Sequence, residues 1–244
     1  MPLALALSPH LDDAAFSAGA TLASLAEAGW EVVVATIFTA TIQNPSGFAL
    51  ACQTDKGLAP DVDYMAMRRA EDAQACAVLG AQPVWLALAE APHRGYGSAA
   101  ELFDEPHARD SADRDAAAAI GPLLDMLRPN LLLAPQAIGG HVDHVQVARA
   151  VQRVQGEAPV LWWQDFPYLA RADTPLRPFE PLFAELPETT MRGDDARKRE
   201  ACAAYATQLG YQFGGTEGLH RALAATGGLE CFRLQGDLVL SRAA

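Results

Sequence analysis

Positive charge is scarce in this chain: 18 Lys and Arg stand against 30 Asp and Glu in 244 residues, a formal net charge of −12. Nucleic acids and anionic membrane surfaces select clustered basic side chains, so neither is an expected partner. Long hydrophobic runs are missing too. None approaches the ~20 residues of a membrane-spanning helix, which excludes an integral membrane segment. Residues 1–10 are apolar but brief and carry no basic n-region, so they do not read as a secretory signal. Cysteine is sparse: Cys52, Cys76, Cys202 and Cys231 are widely scattered, with no Cys-x-x-Cys pair. Such cysteines read as structural free thiols, and a reducing cytoplasm is the expected location.

What remains is an ordinary globular composition, 50% hydrophobic and 20% charged, too apolar for disorder. A chain of this length buries on the order of 70% of its unfolded surface, so neither disulfide nor metal is needed to hold it together. Residues 2–7 form a short apolar run, and an Ala-rich segment over 13–28 has Phe16, Ala20 and Ala23 at helical spacing before a stop at Gly29. EVVVATIFT, residues 31–39, follows with the β-branched density of a buried parallel strand. This βαβ unit predicts a single α/β domain over 1–244, a Rossmann-like three-layer sandwich with a mostly parallel sheet flanked by helices. Further helices are predicted over 65–80, 113–127, from about 142 through 154, and 194–209. Strands are predicted over 83–88, 130–135, 159–166 and, at an edge, 230–234. Residues 41–63 and 92–111 lose periodicity and read as long loops, which in a compact domain shape a binding site. The Trp162-Trp163 pair reads as core on one side and interface on the other, which leaves a homo-oligomer open.

Two clusters carry the chemistry. His10-Leu11-Asp12-Asp13 follows the first strand, and His141-Val142-Asp143-His144 follows the strand at 130–135 and opens a helix. Alone, Asp12 or Asp13 is an ordinary helix N-cap residue, and His141 and His144 are ordinary polar residues at a helix start. Together they lie at the carboxyl edge of one parallel sheet, where open α/β folds bind ligands. His and carboxylate suit zinc, whose catalytic sites take three protein ligands and keep a position open. His141 and His144, three residues apart, share a helix face, and Gly139-Gly140 lets that turn approach an ion closely. Adjacent Asp12 and Asp13 point in different directions, so one can bind metal while the other moves a proton. Spacing alone therefore predicts a mononuclear metal hydrolase of unspecified substrate.

At these residues the sequence resembles the N-acetylglucosaminylphosphatidylinositol deacetylase family, the PIG-L or LmbE-like deacetylases. That family opens with Pro-His-x-Asp-Asp, here Pro9 to Asp13 with Leu11 where many members have Pro, and carries a later His-x-Asp-His, here His141 to His144. Supporting matches are Arg69, Glu71 and Asp72 ahead of Leu79-Gly80; Asp165, Pro167 and Tyr168; and Lys198, Tyr205 and Gln208. The resemblance implies one Zn²⁺ per chain, with Fe²⁺ as the alternative, held by His10, Asp13 and His144. It further implies Asp12 as general base, His141 as general acid or oxyanion-stabilising group, and Asp143 as the partner orienting His141. The implied reaction removes the N-acetyl group from an N-acetylglucosamine-type sugar or glycoconjugate, a small-molecule substrate. An amidase of a larger thiol or sugar conjugate and a catalytically silent sugar-binding protein are the alternatives. Candidate substrate contacts are Arg68, Arg69, Arg94 and Tyr168, with His93 and Tyr96 beside Arg94 in the second loop. His107 and His220 have no partner motif and are expected on the surface.

Overall fold

Alternation in the first strand sets out the layers. In β1 (Leu3–Ser8) the side chains of Leu3, Leu5 and Leu7 enter one core and those of Ala4 and Ala6 the other, following the two-residue period of a strand. The computed structural model describes residues 1–171 and 175–238. In chain order β1 is followed by α1 (Asp13–Glu27), β2 (Glu31–Thr36), α2 (Gly47–Thr54), α3 (Tyr64–Leu79), β3 (Gln82–Trp85) and α4 (Ala112–Leu127). Next come β4 (Leu131–Pro135), α5 (Val142–Val154), β5 (Val160–Trp163), and two single-turn helices, α6 (Tyr168–Arg171) and α7 (Glu180–Phe183). The chain then forms β6 (Glu188–Met191), α8 (Asp195–Ala203), α9 (Ala206–Phe213), α10 (Thr216–Ala225) and β7 (Glu230–Gln235).

The seven strands form one sheet in the order β3-β2-β1-β4-β5-β7-β6. The first five run parallel, and β7 and β6 close the far edge as an antiparallel pair. This is the expected α/β sandwich. Strand order reverses between β1 and β4, so their carboxyl ends flank the crevice of a doubly wound sheet. One face of the sheet is covered by α1, α3 and α8 through Phe16, Leu22, Leu79 and Cys202. The other is covered by α4 and α5 through Ile120, Leu123, Val147 and Val151.

Three expectations need correction. Residues 194–209 do not form one helix: α8 ends at Ala203 and α9 starts at Ala206. Tyr205 breaks the run by turning inward, its ring 5.6 Å from that of Phe16 and its hydroxyl donating to Asp72 Oδ1 at 2.8 Å. Trp162 and Trp163 are both fully buried, because β7 covers the flank of β5, Phe183 packs 5.1 Å from Trp162, and Trp163 points into the opposite core. Neither forms an interface. The loop at 41–63 contains α2, whose buried surface is limited to Gln53, so little periodicity announces it. Strand β6 and helix α10 had no clear sequence signal, and it is β6 that takes the sheet edge expected of 230–234, because β7 pairs with β5 on one side and β6 on the other.

One buried ion pair ties α1 to the rest. Glu230, on β7, accepts from Lys198 Nζ at 2.6 Å, Thr21 Oγ1 at 2.6 Å and the backbone amides of Ala20 and Thr21 at 3.0 and 2.8 Å. Both charged residues are 4% exposed. Lys198→Met removes one partner and strands a carboxylate in the interior, a loss of roughly 3–5 kcal/mol. Equilibrium urea unfolding checks this, and a midpoint equal to wild type would contradict it.

Candidate metal centre

The turn after β1 and the first turn of α5 bring His10, Asp12, Asp13, His141 and Asp143 to one cavity of 230 Å³, with His144 directly behind Asp13. Asp13 Oδ2 lies 3.2 Å from His10 Nδ1 and 3.2 Å from His144 Nε2, so one carboxylate oxygen faces two imidazoles. Each imidazole is held from behind by a second carboxylate. Asp143 Oδ2 accepts from His10 Nε2 at 2.9 Å, and Asp165 Oδ1 accepts from His144 Nδ1 at 2.7 Å. With the far nitrogen's proton committed in this way, the near nitrogen is the one that carries the lone pair when the ring is neutral. His144 Nε2 is buried and makes no aligned hydrogen bond despite its proximity to Asp13.

His141 has the opposite polarity. Its Nδ1 accepts the backbone N–H of Asp143 at 3.2 Å, which assigns the proton of the neutral ring to Nε2. It offers the cavity a donor rather than a lone pair. One ring nitrogen from each of His10, His141 and His144 lies within 4.8 Å of the other two. The donor set (one carboxylate and two imidazole nitrogens, one of them the orphaned Nε2 of His144) fits a small divalent cation of the zinc type.

Charge follows the same layout. Burial depresses the basicity of His10 and His144, but the carboxylates facing them outweigh it, raising His10 well above its ordinary value and His144 to about 9. Asp13 and its neighbours thus favour positive charge at this point. Asp12 stands apart. Burial, reinforced by Asp13, pushes its carboxyl up to about 7 against the opposing pull of Arg68. Gln212 Nε2, from α9, donates to Asp12 Oδ2 at 3.0 Å.

Three sequence expectations for this region are revised by geometry. Asp143 is not the side-chain partner of His141: its carboxylate turns to His10, to Ala91 N–H at 3.1 Å and to Arg94 Nη2 at 2.7 Å, leaving only its backbone for His141. Arg94 does not line the cavity, because Asp110, Asp143 and the carbonyl of Ala89 take its guanidinium beneath the site. Arg69 also points elsewhere, donating to Thr39 O at 2.8 Å and Thr41 Oγ1 at 3.1 Å. Arg68, one position earlier on α3, does line the cavity, paired with Glu90 at 2.6 Å and 3.7 Å from Asp12. Tyr168 lines it as well, packed so closely on Gly139 that a Cβ there would lie 2.7 Å from the tyrosine's own. Tyr96 is buried, donating to Asp110 at 2.9 Å, and half-buried His93 lines a neighbouring 190 Å³ cavity. His107 and His220 are exposed, His107 with its ring stacked on Tyr96.

Residues that the motifs did not flag also line the cavity: Lys56, Tyr64, Glu90, Phe103, Tyr211 and Gln212. Lys56 and Phe103 come from the two weakly periodic segments, Tyr64 from the start of α3, Glu90 from the connection after β3, and Tyr211 and Gln212 from α9, where no local pattern marks them. Asp165 had a readable signal, since it follows β5 at the same carboxyl edge as the other acidic residues.

Comparison with known proteins gives a consistent picture. Residues 5–155 match the sequence profile of the GlcNAc-PI de-N-acetylase family, PIG-L. The 2'-N-acetylparomamine deacetylase of Streptomyces fradiae is 32% identical over 172 residues, 69% of this chain. That match spans 58% of the relative's own length. The A40926 pseudoaglycone deacetylase superposes with a TM-score of 0.78 at 29% identity, covering 97% of this chain and 98% of its own. The zinc-inhibited form of teicoplanin deacetylase gives a TM-score of 0.78 at 25% identity, covering 96% and 98% of the two chains. A doubly wound sheet with its motif residues gathered at the reversal point, and a profile match across β1 to α5, together make this chain a member of the GlcNAc-PI de-N-acetylase (PIG-L) family.

Proposed function

We propose that this protein is a zinc-dependent N-deacetylase that removes the acetyl group from an N-acetylglucosamine-type sugar within a small glycoconjugate. The observation that carries this reading is the pair of carboxylate-clamped imidazoles facing Asp13, with Asp12 beside them and His141 turned to donate. Relatives named as deacetylases of 2'-N-acetylparomamine, A40926 pseudoaglycone and teicoplanin support it. His10, Asp13 and His144 would hold the ion, with Fe²⁺ as the alternative to zinc. Bound there, it supplies Lewis-acid polarisation of the amide carbonyl and a lowered pKa for water in the site.

The chain's own groups then divide the work. Asp12 takes a proton from the water that attacks the carbonyl carbon. His141 donates its Nε2–H to the carbonyl oxygen as negative charge develops there. When the C–N bond breaks, the electron pair goes to nitrogen, and the proton held by Asp12 passes to it. A neutral amine departs, and the acetic acid left behind ionises to acetate. An unprotonated amide nitrogen is a very poor leaving group, so this return of the proton is required.

The test is metal binding together with amide cleavage. Purified protein is expected to bind about one equivalent of zinc and to release amine and acetate from an N-acetylglucosaminide, with both lost on chelation. Asp165→Asn, which loosens the clamp on His144, is expected to weaken metal affinity about 10–100-fold, read by competition against a chromophoric chelator. Stoichiometric zinc binding unaffected by Asp165→Asn would remove the clamp from the argument.

A further inference from the structure

The cavity has two chemically different sides. Toward α3 and α9 it carries the charged and amide groups of Asp55, Lys56, Arg68, Gln208 and Gln212, with the aromatic rings of Tyr64 and Tyr211 under Lys56. Toward residues 92–103 it is apolar, lined by Pro92, Ala99, Leu102 and Phe103. Phe103 ends a single 3-10 turn and is 40% exposed. Its ring stands edge-on to His141 with centroids 5.2 Å apart, and 5.7 Å from the ring of Tyr168. Tyr168 in turn lies 5.1 Å from His144, so the aromatic wall borders the proposed metal donors directly. The wall is anchored to the helix that carries the histidines, because Leu102 packs on the buried cluster of Ala91, Tyr96 and Val142.

We propose that Phe103, backed by Leu102, is the acyl-side wall of the site: it receives the methyl of the acetyl group, restricts the acyl chain to a short one, and leaves the sugar to the polar side. The proposal rests on the deacetylase reading and adds the direction in which the substrate lies. An amide carries two unlike substituents, here an alkyl chain on carbon and a polyhydroxylated ring on nitrogen. Hydroxyls leaving water need donors and acceptors, which the side carrying Asp55, Lys56, Arg68, Gln208 and Gln212 supplies in number. A methyl group gains by covering an exposed phenyl ring and has nothing to gain among ammonium, carboxylate and amide groups. With the amide carbon beside Asp12 and His141, a chain extended toward residues 92–103 runs into Phe103.

The experiment compares kcat/KM for the N-acetyl, N-butanoyl and N-octanoyl forms of one glucosamine glycoside, using zinc-loaded wild type, Phe103→Ala and Phe103→Trp. Wild type is expected to favour acetyl. Phe103→Ala should raise the octanoyl-to-acetyl ratio about tenfold or more, and Phe103→Trp should lower the butanoyl-to-acetyl ratio, because apolar pockets discriminate single methylenes by roughly 10–200-fold. Equilibrium binding of the same three amides to metal-free protein should shift in the same order. An acyl ratio unchanged in both variants overturns the proposal. So does altered discrimination among different glycosides at a constant acyl ratio, which would place the sugar against this wall. Wild type that cleaves none of the three amides overturns the deacetylase reading itself, a result distinct from either of these.

Discussion

Replacing Asp12 with alanine is expected to lower kcat by about 10²–10⁴-fold while bound metal stays at the wild-type level. The separation follows from geometry. Asp13, not Asp12, has an oxygen 3.2 Å from both His10 Nδ1 and His144 Nε2. Asp12 faces the same cavity but interacts with Gln212 and Arg68, so its removal leaves the imidazole–carboxylate cluster intact. Its loss removes both the acceptor for the water's proton and the group that returns that proton to nitrogen. Metal analysis and steady-state amine release on one preparation make the comparison. Wild-type turnover in Asp12→Ala would take the residue out of the mechanism.

Asp13→Ala, and separately His144→Ala, should cost the ion itself. Dialysed protein is expected to lose its metal, and activity should fall by about 10³-fold or more, since a Lewis acid contributes several kcal/mol and each 1.4 kcal/mol or so is a factor of ten. Asp13→Ala also discriminates between two donor sets. If metal and activity persist without Asp13, the ion is held by His10, His141 and His144, one ring nitrogen of each lying within 4.8 Å of the other two. That result would move His141 from donating a proton to coordinating a cation. Thermal unfolding of the metal-free variants separates a lost ligand from a lost fold.

Much of this site was legible because the fold concentrates chemistry at strand ends. Leucine alternation in β1, the β-branched run of β2 and the apolar run of β4 mark three neighbouring parallel strands. Their order puts His10 to Asp13 and His141 to His144 on either side of one crevice. Side-chain direction was less legible. Asp143 sits beside His141 in sequence yet reaches His10, 133 residues away, because the backbone of the first α5 turn points its carboxylate across the crevice. Arg68 and Arg69 look equivalent in a list of residues, but about 100° of helical rotation puts one in the cavity and the other against the Thr39–Thr41 backbone. Arg94 looked like a residue of the cavity mouth, and its buried position became visible only once Asp110 and Asp143 were seen to share it. The break at Tyr205 had no local signal, because its cause is a distant carboxylate, Asp72, and a distant ring, Phe16.

The break at Tyr205 also shapes the rim of the cavity. By turning the chain at Tyr205, it sends Gln208, Tyr211 and Gln212 back over the cavity from a part of the sequence beyond the family profile, which stops at residue 155. Tyr168 and Arg171 reach the cavity from the same stretch. The proposed ion donors and proton-transfer groups are all encoded before residue 155, while one wall of the cavity around them is supplied by residues 168–212. A variant in which residues 194–209 run on as one helix would carry Gln212 away from Asp12 and leave that carboxylate without its amide donor.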